Sequence, residues 1–215
     1  MAVIAYQYRG DLVDQIHRGH IAVTDHTGKI LWKLGDPERL TFARSSAKPL
    51  QAIPVAESGA LEHYGITPQE LAVICSSHNG EPFHVKAVES ILHKAGLSPD
   101  QLCCGAEYPM YVPAEDALKI AGIPRALIYC DCSGKHAGML ITARHFGESL
   151  ENYTALEHPV QQRILSVFAE MCGVETSDVH LAVDGCGVPV HALPLYRLAQ
   201  GYARMSPVSY THLTL

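Results

Sequence analysis

The chain has 215 residues, of which 47% are hydrophobic and 18% charged, and its net charge is −6 with the histidines counted neutral. This composition is typical of a soluble globular protein with a sizeable core. The negative charge gives no electrostatic case for binding nucleic acid or an anionic membrane. No apolar run reaches the ~18 residues of a membrane span, and the N-terminus lacks the pattern of a secretory signal.

The seven cysteines favour a reduced, cytoplasmic setting. Their number is odd, and the pairs at 103–104 and 130–132 do not form the framework of a small disulfide-rich protein. In a reducing compartment, clustered cysteines either pack in the core or bind a metal.

The first forty residues are predicted to form strands, with two apolar runs on either side of a turn at Thr27-Gly28. A helical pattern begins near Ser46 and runs toward Gly59. The spacing Thr67-x-x-Glu70 is a capping box that opens another helix. Further helices are predicted for 81–96, where Gly96 is the expected C-terminal cap, for 114–122 and for 159–172, and a second capping box is predicted at 98–101.

Two strands are predicted to end in glycine turns. The run "ALIYC" at 126–130 leads into "DCSGKH", and a second run near 180–183 leads into "DGCGVP". Alternating strands and helices predict an α/β fold, that is, an α+β layered arrangement. Residues 1–205 are interpreted as one globular unit, with two lobes as the alternative.

The last ten residues fit this pattern badly. The helix before them is expected to stop at Ser206-Pro207 without a cap, and a polar tail follows. We interpret 206–215 as a non-native or read-through tail, and expect the chain to be truncated at its C-terminal end.

The stretch "ARSSAKPLQ" contains the first chemical motif. In a helix, Ser45 and Lys48 would share one face, and Pro49 suits the first helical turn. A serine beside an uncharged amine is a nucleophile with its base, and burial or a neighbouring cation such as Arg44 or Lys135 would favour the uncharged form. The alternative is a helix cap beside a solvated lysine.

Three further turns carry polar groups. "CSSHNGE" at 75–81 brings together hydroxyl, imidazole and amide groups, with an ordinary capped loop as the alternative. "CDCSGKH" at 130–136 and "DGCGVP" at 184–189 carry thiols that could share a soft cation such as zinc, or could be inert buried cysteines. Cys132 and His136 would lie on one helix face, but no Cys-x-x-Cys pair is present.

Taken together, "ARSSAKPLQ", "SSHNGE", "CSGKHAGM" and "DGCGVP" resemble the rhizobial-type, or class 3, L-asparaginases. The resemblance implies hydrolysis of L-asparagine to L-aspartate and ammonia, on a fold similar to serine β-lactamases and penicillin-binding proteins. It also implies two serine–lysine tandems. Ser45 with Lys48 is the first, and Ser77 is the serine of the second, whose lysine is expected in a C-terminal part that this chain lacks.

The same resemblance implies a zinc ion held by Cys132, Lys135 and Cys186, with His136 as a neighbour of the metal. It places Arg44, His78 and Asp184 at the substrate, and it implies a homodimer for the full-length protein. Ser45 is chosen as the nucleophile because its partner, Lys48, lies only three residues away in the sequence.

Two alternatives stay open. One is another S-x-x-K acyl hydrolase acting on β-lactams or esters, although neither "SDN" nor "KTG" occurs in the chain. The other is a zinc-binding fragment that the truncation has made inactive, since an incomplete active-site wall costs pre-organisation.

Overall fold

A computed structural model describes the backbone of residues 1–211 and the side chains up to Ser206. Residues 212–215, the end of the predicted tail, lie outside the described residues. The chain divides into two compact units. The first comprises Met1–Ala43, Phe168–His180 and the chain from His191 onward; the second comprises Arg44–Val167 and Leu181–Val190.

The first unit contains the predicted N-terminal strands. β1 (Ala2–Arg9) pairs with β2 (Leu12–Gly19), and β3 (Ile21–Thr24) pairs with β4 (Ile30–Leu34), both antiparallel. β5 (Leu40–Phe42) pairs antiparallel with the end of β7 (Pro189–Pro194), and α8 (Leu195–Thr211) packs on β3. The prediction of strands around the turn at Thr27-Gly28 is confirmed.

The second unit is mainly helical. Its helices are α1 (Lys48–Glu57), α2 (Ala60–Tyr64), α3 (Pro68–Ile74), α4 (Pro82–Lys94), α5 (Val112–Ile120), α6 (Ser133–His145) and the start of α7 (Pro159–Cys172). Short 3-10 turns cover Arg44–Ala47, Pro99–Gln101 and Leu127–Tyr129, and another, Thr176–Asp178, lies in the first unit. β6 (His180–Val183) and β7 flank the turn at 184–188. The chain is thus of mixed helix and strand, as predicted, and the likeness to serine β-lactamases stays a prediction.

Helix α6 forms the centre of the second unit, because every residue from Ser133 to Ala143 is buried. Its glycines permit a close approach to α3. A Cβ atom on Gly134 would lie 2.5 Å from the carbonyl oxygen of Val73, and one on Gly138 would lie 2.7 Å from Ile74 Cγ2. The glycines of "CSGKHAG" therefore serve the packing of α6 against the helix that leads to Ser77.

The local capping signals are confirmed. Thr67 and Glu70 form the reciprocal capping box of α3. Gly96 follows α4 with a φ of +66°, a left-handed conformation that favours glycine. Ser98 and Gln101 form the second box.

The predicted strand at "ALIYC" is wrong. Residues Leu127–Tyr129 form a 3-10 turn, in which the Cys130 N–H donates to the Leu127 carbonyl. The Ile128 carbonyl accepts a hydrogen bond from the Ser133 hydroxyl at 3.0 Å. Ala126 forms an isolated antiparallel bridge with Glu107, but the local bonds after it keep the run from extending into a strand. A short apolar run does not by itself distinguish the two structures.

The predicted end of the last helix at Ser206-Pro207 is also wrong, because α8 continues to Thr211. Proline removes one helical hydrogen bond, but its fixed φ is close to the helical value; α1 likewise contains Pro54. The interpretation of 206–215 as non-native stays a prediction. Within residues 1–211, no helix has the length and apolar character required to cross a bilayer.

Candidate active site

Lys48 and Ser77 form the closest polar contact of the site. Lys48 begins α1 after the 3-10 turn, with Pro49 in the first helical turn, and it is only 1% exposed. Ser77 lies beyond the end of α3 on an exposed loop. Lys48 Nζ donates to Ser77 Oγ at 2.5 Å. A buried amine therefore reaches an accessible hydroxyl.

Ser45 has different surroundings. It is exposed within the turn Arg44–Ala47. Among the described residues, Lys48 Nζ donates to Ser77 Oγ and to the Asp131 carbonyl, and no hydrogen bond joins it to Ser45. Ser45 lies in the 3-10 turn that precedes α1, whereas the bond of Lys48 crosses to the loop after α3.

Asp131 is a site residue that sequence reasoning did not assign. Its carbonyl oxygen accepts from Lys48 Nζ at 3.3 Å, and its carboxylate lies 3.8 Å from the same nitrogen. Burial raises the pKa of this carboxyl, but the Lys48 charge and the Ser77 hydroxyl outweigh burial, so the pKa is lowered. Its position inside "CDC" was the available signal.

His78 supports the loop that carries Ser77. The Gly80 N–H donates to Nδ1 at 3.1 Å, so Nε2 carries the proton of the neutral ring and donates to Ser133 Oγ at 2.8 Å. Burial, followed by the charges of His84 and Lys48, lowers the pKa of His78 to about 4. Both ring nitrogens are thus occupied by protein partners, and the predicted contact with substrate stays a prediction.

A cleft beside these residues carries charge of both signs. It holds about 170 Å³ and is lined by Arg44, Ser45, Cys104, Glu107, Cys130, Asp131, Cys132, Asp184, Gly185 and Cys186. Arg44 Nε lies 3.9 Å from Asp184 Oδ1. Arg44 has a φ of +47°, a left-handed conformation that is uncommon and strained outside glycine.

The residues predicted to hold zinc meet in the interior. Cys132, Lys135 and Cys186 are all buried, and Lys135 Nζ donates to Cys186 Sγ at 3.3 Å. A hydrogen bond with Cys132 and then burial raise the pKa of Cys186 to about 11, and the pKa of Cys132 is also raised, chiefly by a hydrogen bond with Cys130. The thiols therefore hold their protons until a cation displaces them.

His136 adds an unsatisfied atom beside this group. The Cys103 N–H donates to the hydroxyl of Tyr153 at 2.8 Å, and that hydroxyl lies 2.7 Å from His136 Nδ1. Nε2 is buried without a hydrogen-bond partner among the described residues. Two buried thiols and an amine are donors that suit a soft cation, so the three predicted residues fit zinc, with His136 as their neighbour.

A second group of possible ligands fits a metal poorly. Donor atoms of Glu107, Cys130 and Asp131 lie within 4.8 Å of one another. The Cys130 thiol, however, donates to the Cys104 carbonyl at 3.3 Å, and its hydrogen bonding with Cys104, together with burial, raises its pKa to about 12. Because Glu107 is exposed and the Cys130 thiol is engaged by the Cys104 carbonyl, this group is better described as a polar wall of the cleft.

Comparison with known protein families agrees with the motifs. The sequence profile of a family described as L-asparaginase II matches residues 5–212. A comparison with individual curated proteins gave no match.

Proposed function

Because the chain belongs to the L-asparaginase II family, we propose that it is an amidohydrolase that converts L-asparagine to L-aspartate and ammonia. The observation that carries this proposal is the 2.5 Å contact between the buried Lys48 amine and the exposed Ser77 hydroxyl, beside a cleft with charges of both signs. Hydrolysis of an amide needs a nucleophile and a base in such contact.

Ser77 carries the nucleophilic hydroxyl in this proposal, in place of Ser45. Lys48 supplies the base in both versions, but its amine lies against Ser77. Ser45 keeps a place in the wall of the cleft, next to Arg44. It contacts the bound substrate without receiving the acyl group.

The reaction proceeds in two halves. In the first, the Lys48 amine, which is paired with Asp131 at rest, loses a proton to solvent. The uncharged amine then takes the hydroxyl proton as Ser77 Oγ bonds to the side-chain amide carbon of asparagine. Lys48 then returns this proton to the leaving nitrogen as the carbon–nitrogen bond breaks, so ammonia departs and an aspartyl ester remains on Ser77. In the second half, water attacks the ester, Lys48 takes the water proton and returns it to Ser77 Oγ, and aspartate is released.

The cleft suits the two charges of a free amino acid. Arg44 is placed to bind the α-carboxylate, because a guanidinium binds carboxylates in a two-point geometry. Asp184 and Glu107 line the same cleft and are placed to receive the α-ammonium group. A simple amide without the α-carboxylate and α-ammonium groups would lose both interactions.

Zinc belongs to the proposal as a structural and polarising ion. Cys132, Lys135 and Cys186 would hold it, and bound zinc would supply positive charge close to the cleft, which Cys132 and Cys186 also line. Zinc content measured by mass spectrometry should approach one ion per chain and fall in Cys186→Ser. A chain purified with zinc present in the medium, yet free of zinc, would contradict this assignment.

The proposal is tested by ammonia release from L-asparagine, together with mass spectrometry of acid-quenched enzyme. We expect Ser77→Ala to abolish the aspartyl adduct and to lower kcat by about a thousandfold, and Ser45→Ala to retain the adduct on Ser77. An adduct on Ser45 would reverse the assignment of the two serines. Acylation of Ser77 by penicillin without turnover of asparagine would instead indicate another class of acyl hydrolase. The homodimer, the cytoplasmic location and the truncation stay predictions.

A further inference from the structure

Asp131 contacts Lys48 and the loop that carries Ser77. Its carbonyl oxygen accepts from Lys48 Nζ at 3.3 Å and from the backbone N–H of His78 at 3.2 Å. The Ser77 hydroxyl is also one of the groups that lower the pKa of the Asp131 carboxyl. One residue therefore contacts both the Lys48 amine and the start of the loop after Ser77.

The charge of Asp131 has a further consequence for the amine. The Lys48 side chain is fully buried, and a buried amine needs an opposite charge or hydrogen-bond acceptors around it. Within the described residues, the ion pair recorded for Lys48 is the one with Asp131 Oδ2, at 3.8 Å. The Asp131 side chain is 28% exposed, and the residue also lines the cleft.

The position of Asp131 also decides which serine the amine meets. Lys48 Nζ donates both to Ser77 Oγ and to the Asp131 carbonyl oxygen. A flexible lysine side chain held at two acceptors loses the freedom to turn toward another hydroxyl such as Ser45.

We propose that Asp131 is a positioning residue, whose carboxylate and carbonyl oxygens hold the Lys48 amine against Ser77. This inference rests on the proposed function for its reaction, but its physical content concerns only the reactivity of Ser77. Asparagine at this position would keep an acceptor and lose the charge. Glutamate would keep the charge and shift it by one methylene group.

The inference is tested by a double-mutant cycle of Asp131→Asn with Lys48→Met. Two rates are measured in each protein: kcat and KM for L-asparagine, and the rate at which phenylmethylsulfonyl fluoride labels Ser77, followed by peptide mass spectrometry. We expect Asp131→Asn to lower kcat and the labelling rate by about ten- to a hundredfold, with KM changed by less than about twofold. In the Lys48→Met background, the same substitution should change neither rate further.

Asp131→Glu is the conservative variant, and it should recover part of both rates. Thermal unfolding and zinc content of each variant serve as controls for the fold and for the neighbouring Cys132. If Asp131→Asn fails to fold, the double-mutant cycle with Lys48→Met is measured with Asp131→Glu and Asp131→Ser instead.

The outcomes separate this inference from the proposed function. Equal losses in the two backgrounds, a change confined to KM, or full activity of Asp131→Asn would overturn the inference while asparagine hydrolysis stands. If the wild-type protein releases no ammonia from asparagine, yet labelling of Ser77 still depends on Lys48 and Asp131, the substrate is wrong and the inference stands. A wild-type protein that neither hydrolyses asparagine nor labels at Ser77 would overturn both.

Discussion

Ser45 and Ser77 are both exposed, but the residues that surround and support them differ. Ser77 lies above a buried polar group, in which Lys48 is 1% and His78 2% exposed. Ser45 lies on a short turn, after an arginine with a left-handed backbone. An accessible nucleophile over fixed buried polar groups is pre-organised, whereas one on a strained turn depends on what binds to it.

This difference also assigns the neighbouring residues to two tasks. The groups beneath Ser77 are buried and hydrogen-bonded, Lys48 to Ser77 and His78 to Ser133, so they hold a fixed geometry. Those around Ser45, including Arg44 and Asp184, line the open cleft, where the proposal places the substrate. Four changes test this division.

The largest effect is expected for Lys48→Met, which removes the amine but keeps most of the buried volume. We expect kcat for asparagine to fall by about a thousandfold, because the Ser77 proton loses its acceptor. Steady-state ammonia release checks this. Lys86→Met, at an exposed lysine, is the matched control and should behave as wild type. Retained turnover in Lys48→Met would contradict the proposal that contact with Lys48 makes Ser77 the nucleophile.

The next largest effect is the loss of folding stability at low pH that His78 causes. The folded protein takes up the His78 proton only near pH 4, whereas the unfolded chain takes it up near 6.5. The unfolded state therefore binds more protons between these values, and stability falls as the pH falls through this window, by about 3 kcal/mol from His78 alone. Urea unfolding at a series of pH values measures this loss.

His78→Gln provides the comparison for that experiment. Glutamine keeps a donor for Ser133 but does not titrate, so the variant should be less stable at pH 7 and should lose less stability on acidification. An unchanged slope between pH 6.5 and 4 would show that His78 is not buried as a neutral ring.

A smaller effect is expected where α6 approaches α3. In Gly134→Ala the new Cβ would meet the Val73 carbonyl at 2.5 Å and push the helix that leads to Ser77. We expect the free energy of unfolding to fall by about 2 kcal/mol, measured by urea unfolding. At Gly185 no heavy atom lies within 4 Å of such a Cβ, so Gly185→Ala should leave stability nearly unchanged. Equal stability of the two variants would contradict the close packing.

The smallest effect is expected at Arg44. Glycine relieves the left-handed backbone, so Arg44→Gly should be more stable than Arg44→Ala by about 1 kcal/mol in urea unfolding. Both variants should raise KM for asparagine to a similar extent, since both lose the guanidinium. A KM that rises in only one of them would mean that the turn, rather than the charge, binds the substrate.

Much of the local structure followed from sequence signals with short-range causes. The capping boxes at Thr67 and Ser98 and the cap at Gly96 were predictable because their partners lie three or four residues away. The strand predicted at "ALIYC" failed because apolar character alone does not reveal whether the backbone bonds are made locally. The role of Asp131 was missed for a related reason, since nothing in "CDC" shows which side chain faces Lys48.

By itself the sequence determined the family, the capped helices, and the motifs that contain Ser45, Ser77, Lys48 and the paired thiols, because residue type and short spacing encode these features. Only the tertiary structure decided that Lys48 meets Ser77 across 29 positions of the chain, and that Asp131 meets Lys48 across 83. Such contacts depend on how helices α1, α3 and α6 pack, and packing is a property of the whole core.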